Sequence, residues 1–414
     1  MKIENSEKRH TAGQKNDKIL IDMKNREEAL DKNNHPAKKK RAEGPTAPRA
    51  KRKISRLRII VSSLTLLVVA GTIGFFLLYQ ETQEPEPINP YRGGVVIGSS
   101  ERALEIMADM TLEEKVGQMF ITPYRGDGSD LSALADYHLG GFIYTSVFFE
   151  NNTPETASIT FREMNEFQEM KPFQGVAEEG GEITAVSKWP AFRTTPYRLP
   201  RELYDDGGLD AVITQEEEQL LFLKRMGLNL NFGPITNIAT KPSDSLYQQT
   251  IGQDAEKTSE YIRRLTLLYD ELGMSAVLRY YTGEDTEAFM TGCYMGAPAV
   301  MMSNRVITSG DSVDSSRPMS LSKPWHDYLR DELGFEGVII LSDVASGVFD
   351  EYAGEQVKSV MAIEAGNDLI WATYYEPEIE GVLAAIENGT LSVQDVDDSV
   401  VRLLTWKLRY GLIE

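Results

Sequence analysis

Residues 99–414 predict an α/β fold of the (β/α)8, TIM-type barrel class. Eight short apolar runs alternate with helix-period segments, and the segment of about 315 residues has the size of a closed barrel. An open doubly wound sheet is the alternative. The lack of a phosphate-type Gly loop after the first run weakens its nucleotide-binding form.

The elements follow in order. Thr111 and Glu114 form a capping-box signature that opens the helix TLEEKVGQMF and leads into a first strand at 120–122. A helix at 130–138 precedes GGFIYT, the second strand, and TPETASITFREMNEFQEM precedes FQGVA, the third. TQEEEQLLFLKRMG leads into LNLNFGPI, and DAEKTSEYIRRLTLLYDELGM into SAVLRYY. TEAFMTGCYMG then precedes APAVMMS, WHDYLRDELGF precedes GVIILSD, and EQVKSVMAIEAG precedes NDLIWA. Two closing helices cover 377–389 and 392–413. With 41% hydrophobic and 26% charged residues, the chain can bury a sizeable core.

The first 98 residues read differently. Residues 1–58 hold 18 Lys and Arg against 8 Asp and Glu, and the remainder holds 25 against 55. The acidic main domain would repel phosphate, which argues against nucleic-acid binding. The basic tail is expected to be disordered. Residues 59–79 are 21 uncharged, mostly apolar positions. As a helix at ~1.5 Å per residue they span about 31 Å, close to a ~30 Å bilayer core. KKKR at 38–41 and KRKISRLR at 51–58 precede this run, and an acidic, Pro-rich segment follows it. The positive-inside rule then predicts a single-pass signal anchor in the cell membrane, with a cytoplasmic N-terminus. Residues 80–98 become an extracytoplasmic linker, and residues 99–414 an extracytoplasmic barrel.

In such barrels the chemistry sits at the C-terminal ends of the strands. That rule selects Glu178 and Glu179 after the third strand, Asn237 after the fourth, and Arg279 to Asp285 after the fifth. It also selects Asn304 after the sixth and Asp343 after the seventh. Carboxylates without a Cys/His cluster point to glycoside hydrolysis rather than metal chemistry, so no metal or cofactor is expected. The sole cysteine, Cys293, has no nearby His to activate it and reads as a packing residue. His10 and His35 fall in the tail, while His138 and His326 lie away from the strand ends.

MTLEEKVGQMF, ADYHLGGFIY, VAEEGGEI, GLNLNFGPITNI, LGFEGVIILSDVASG, AIEAGNDLI and VDDSVVRLLTWKLRYGLI resemble, in order, the motifs of family 3 glycoside hydrolases. They are most similar to those of the single-domain β-N-acetylglucosaminidases. The resemblance implies that Asp343 occupies the nucleophile position and forms a covalent glycosyl-enzyme with retention. It implies that Arg279, Glu178, Glu179, Asn237 and Asn304 bind substrate.

The chain also departs from the family. Ala177 stands where the third-strand motif has its sugar-holding Asp, and Gln249 where an Arg is usual. The fifth-strand K-H-F-P-G-H-G motif reads Arg279-Tyr280-Tyr281-Thr282-Gly283-Glu284-Asp285. The segment from 337 to Asp343 is one residue longer than usual, and Val344 replaces a frequent second Asp. The loop that carries the family's acid/base His is missing, which forfeits ~10²–10⁴ in rate unless Glu284, Asp285 or Glu178 substitutes.

The resemblance implies a membrane-anchored β-N-acetylhexosaminidase acting on N-acetylglucosamine-containing glycans such as peptidoglycan fragments. The alternative is an inactive pseudo-glycosidase that binds glycan or a protein partner at the membrane surface. A barrel of unrelated chemistry, such as a lyase, would need a metal or phosphate site that the sequence does not display.

Overall fold

The computed structural model describes residues 97–414, apart from 245, 284, 285 and 309–311. The expected tail, the apolar run at 59–79 and the linker up to residue 96 lie outside the described residues. Among those described, no helix is long and apolar enough to cross a membrane.

Eight parallel strands close into a barrel. They are β1 (Phe120–Pro123), β2 (Gly141–Ile143), β3 (Phe173–Val176), β6 (Leu230–Asn231), β7 (Ser275–Tyr281), β8 (Ala299–Met302), β9 (Val338–Leu341) and β10 (Leu369–Trp371). A two-stranded hairpin, β4 (Glu178–Gly180) and β5 (Ile183–Thr184), sits on the third strand's exit. Closure is explicit in the register: β1 pairs with β2 at Ile121↔Gly141 and with β10 at Phe120↔Ile370. All eight predicted runs supply barrel strands, and the open-sheet alternative falls. The hairpin is an addition, because its Gly180 and Gly181 adopt positive φ and turn the chain back where the sequence reading had only a strand end.

The helices in chain order are α1 (Ile97–Ala108), α2 (Leu112–Gln118), α3 (Asp130–Tyr137), α4 (Ser146–Glu150), α5 (Pro154–Glu166), α6 (Pro200–Met226), α7 (Ala255–Leu272) and α8 (Thr286–Tyr294). They continue as α9 (Lys323–Asp327), α10 (Asp350–Ala353), α11 (Lys358–Ala365), α12 (Tyr375–Glu387) and α13 (Val393–Arg409). The capping box forms as expected: Thr111 Oγ1 accepts from Glu114 N at 3.2 Å, and Thr111 N donates to Glu114 at 2.7 Å. Such a cap contributes about 1 kcal/mol. The helix expected from 214 begins earlier, at Pro200, with a break at Gly208, whose φ of 67° leaves the helical region.

Packing explains why these runs are so apolar. Val338, Ile339, Ile340 and Leu341 of β9 are all fully buried, inside the barrel on one face and under the helices on the other. On α13, Val396, Val400, Leu403 and Leu404 form a buried stripe at helical spacing. Each such side chain contributes about 1.5–3 kcal/mol. Asp368 pins this layer to the sheet. Its carboxylate accepts from Arg330 at 2.6 Å, Arg402 at 2.9 Å, Ser399 at 3.0 Å and Ile339 N at 2.7 Å, so the buried charge is fully paired. The Gly140–Gly141 pair is required by close approach: a Cβ on Gly140 would collide with the carbonyl of Gln118, and one on Gly141 with that of Phe173.

Candidate functional site

The C-terminal strand ends form one mouth, and a cleft of about 900 Å³ opens on its β6–β9 side. The loop after β6 contributes Asn237, Lys241 and Asp244, β7 contributes Tyr280 and Thr282, β8 contributes Ser303, Asn304 and Arg305, and β9 contributes Ser342. The lining is mainly hydroxyl, amide and charged, which suits a ligand rich in hydroxyl groups.

The five expected binding residues divide into two groups by their partners in the structure. Glu178 is fully buried, and its carboxylate accepts from Val186 N at 2.7 Å and Ser187 N at 3.2 Å. The turn of the hairpin folds it inward as the brace of its own loop. Burial pushes its carboxyl up, against the lowering effect of those hydrogen bonds. Glu179 and Arg279 face each other as a buried ion pair, and Glu179 also accepts from Ile235 N at 3.0 Å. Each is the other's counter-charge in a site too dry to leave either alone.

Asn237 and Asn304 do reach the cleft wall, but both ends of each amide are committed. Asn237 accepts from Tyr280 N at 3.1 Å and donates to Tyr280 O at 3.2 Å. Asn304 donates to Ser342 Oγ at 2.6 Å and accepts from Ser320 Oγ at 2.8 Å. These bonds hold both amides in place at the cleft wall.

Asp343 stands just beyond β9, next to the cleft-lining Ser342 and half-buried. Its Oδ1 accepts from Ala345 N at 3.0 Å and Thr373 N at 3.1 Å, and its Oδ2 accepts from the Thr373 hydroxyl at 2.5 Å. The connection from Tyr281 to Thr286 is short, matching the expected loss of the His-bearing loop. Its Glu284 and Asp285 lie outside the described residues. His138 caps α3 in the left-handed region, and His326 is buried with Nδ1 2.8 Å from Ser322 O, so both are structural. Cys293 is fully buried, and burial pushes its thiol up, which makes it a packing residue. Among the described residues no group of His, Cys, Asp or Glu could hold a metal.

Sequence reasoning missed Arg305 and Lys241 in the cleft, and Thr373 beside Asp343. The strand-end rule that found Asp343 would have reached Thr373 had it been carried past the eighth strand. Lys241 sits on a long loop whose return to the mouth has no signal in spacing.

Residues 282–406 match the family described as the glycosyl hydrolase family 3 N terminal domain. Asn304 and Asp343 fall inside that match, whereas Glu178, Glu179, Asn237 and Arg279 precede it. A β-hexosaminidase of Stenotrophomonas maltophilia is 24% identical over 251 residues, 52% of this chain and 71% of that one. A secreted glycosyl hydrolase of Arthroderma benhamiae is 22% identical over 263 residues, 55% of this chain and 71% of its own length. Among solved structures, the family 3 β-N-acetylglucosaminidase of a Paenibacillus superposes with a TM-score of 0.64 at 22% identity, over 73% of this chain and 63% of that one. The β-N-acetylhexosaminidase of Beutenbergia cavernae gives 0.63 at 20% identity, over 72% and 99%. The structures establish the shared fold. The family match and the curated relatives support a divergent glycoside hydrolase family 3 N-terminal domain.

Proposed function

We propose that the domain is a retaining glycosidase of the β-N-acetylhexosaminidase type, acting on N-acetylglucosamine-containing glycans such as peptidoglycan fragments. The observation that carries this reading is a strand-end carboxylate, Asp343, fixed beside a polar cleft in a family 3 domain. Asp343 attacks the anomeric carbon and forms the covalent glycosyl-enzyme, and water then releases the sugar with retained configuration. Glu284 or Asp285, on the short connection after β7, protonates the leaving oxygen. Retention by two carboxylates asks that this acid stand ~5 Å from Asp343.

The test uses the purified chain and a chromogenic N-acetyl-β-glucosaminide. Wild-type turnover that Asp343→Asn reduces by at least ~10³-fold supports the enzyme. Turnover equal in both proteins rejects Asp343 as nucleophile.

A second reading, glycan or protein-partner binding without turnover, is favoured by the internal commitment of Glu178, Glu179 and Arg279. Retained muropeptide binding with no turnover in either protein selects it. We also place the barrel outside the cell membrane on a single-pass anchor at 59–79, a proposal supported by the flanking charges. Protease treatment of intact cells that spares the barrel would overturn that placement.

A further inference from the structure

We propose that Thr373 is the positioning residue for the Asp343 nucleophile, an inference that rests on the glycosidase reading above. Thr373 follows β10, the neighbour of β9 in the closed barrel, and so comes beside Asp343 only because the sheet is parallel and in register there. Among the described residues it supplies two of the three hydrogen bonds that the Asp343 carboxylate receives. The backbone N–H donates to Oδ1 at 3.1 Å, and the hydroxyl donates to Oδ2 at 2.5 Å. Together they fix both oxygens of the carboxylate, and therefore the plane from which it approaches the anomeric carbon.

The donor is itself anchored. Arg125 donates to Thr373 O at 3.4 Å while pairing with Glu376 at 3.0 Å. The loop carrying Asp343 is held at its next residue as well. Val344 N donates to Trp371 O at 2.9 Å, and Val344 O accepts from Lys358 at 3.1 Å, whose ammonium also pairs with Asp350 at 2.5 Å. The charged groups around the carboxylate are thus Arg125 and Glu376 on the β10 side and Lys358 and Asp350 on the β9 side. Each is already paired within its own couple. The Thr373 hydroxyl is consequently the one side-chain group among the described residues that hydrogen-bonds Asp343.

The experiment compares the full chain with Thr373→Val, which keeps the shape and loses the O–H, and with Thr373→Ser, which restores it. Asp343→Asn serves as the reference for nucleophile loss. kcat and KM are measured on an aryl N-acetyl-β-glucosaminide from acid to neutral pH, with thermal midpoints for every protein. A hydrogen bond to a charged group predicts that Thr373→Val lowers kcat about 10- to 100-fold, with KM nearly unchanged. Thr373→Ser should recover kcat.

Loss of turnover in Asp343→Asn together with an unchanged kcat in Thr373→Val overturns this inference alone. So does a Thr373→Val loss that tracks a lowered thermal midpoint and is not recovered by Ser. Wild-type turnover indifferent to Asp343→Asn, or no wild-type turnover, overturns the parent reading and this one with it.

Discussion

Replacing Lys407 by Met should stabilise the barrel at neutral and acid pH and not at alkaline pH. Lys407 lies on α13, fully buried. Its ammonium donates to Gln118 Oε1 at 2.7 Å and lies 5.1 Å over the Phe173 ring, with no carboxylate partner among the described residues. Burial lowers its pKa from 10.5 to about 7. In the unfolded chain the group stays protonated up to about 10.5, so between about pH 7 and 10.5 the unfolded state binds more protons and stability rises with pH. Below about 7 both states carry the proton and the full penalty stands. The gap between the two values corresponds to about 5 kcal/mol.

Lys407→Met removes that penalty but leaves the buried Gln118 oxygen without its donor, which costs about 1–3 kcal/mol. The expected net is a gain of about 2–4 kcal/mol at pH 6 or below, changing to a loss of about 1–3 kcal/mol near pH 11. Urea unfolding of both proteins across this range reads the difference directly, and other titrating groups cancel in it. A stability difference that stays constant from about pH 6 to 10 would refute the reasoning, since it would mean that Lys407 binds its proton equally in both states.

Three further outcomes follow from buried groups and close contacts. Burial, reinforced by Glu179 and Glu178, holds the Glu216 carboxyl well above its usual range. Its stabilising contribution is therefore complete below the unfolded value of 4.5 and lost as pH rises through the folded value. Glu216→Gln should be more stable than wild type at neutral pH, and parallel melts at about pH 4 and 8 should show the advantage only at the higher one. Arg279→Met should destabilise by about 3–5 kcal/mol by stranding Glu179, and Arg279→Met with Glu179→Gln should recover much of that in a denaturant cycle. Gly141→Ala should abolish cooperative unfolding or cost at least about 3 kcal/mol, because its methyl group meets the Phe173 carbonyl across the β2–β3 seam.

The amino-acid sequence alone determined the alternation of elements, because period-2 and period-3.6 burial must be written into every strand and helix that shares one core. The eight strands, the Thr111 cap and the packing roles of Cys293 and His326 are therefore legible in it. It also put Asp343 at a strand end by counting from Gly337.

Which strand-end groups are available was decided by tertiary structure. The Glu178 side chain points into its own hairpin only because Gly180 and Gly181 reverse the chain. Glu179 and Arg279 lie 100 residues apart and meet only because β3, β6 and β7 are neighbours in the barrel. Asn237, Asn304 and Thr373 take their partners across strands in the same way. Local propensity is set by near neighbours along the chain, but the partner of a buried charge or amide is chosen by sheet order and register. Those arise from closure of the whole barrel rather than from any single segment.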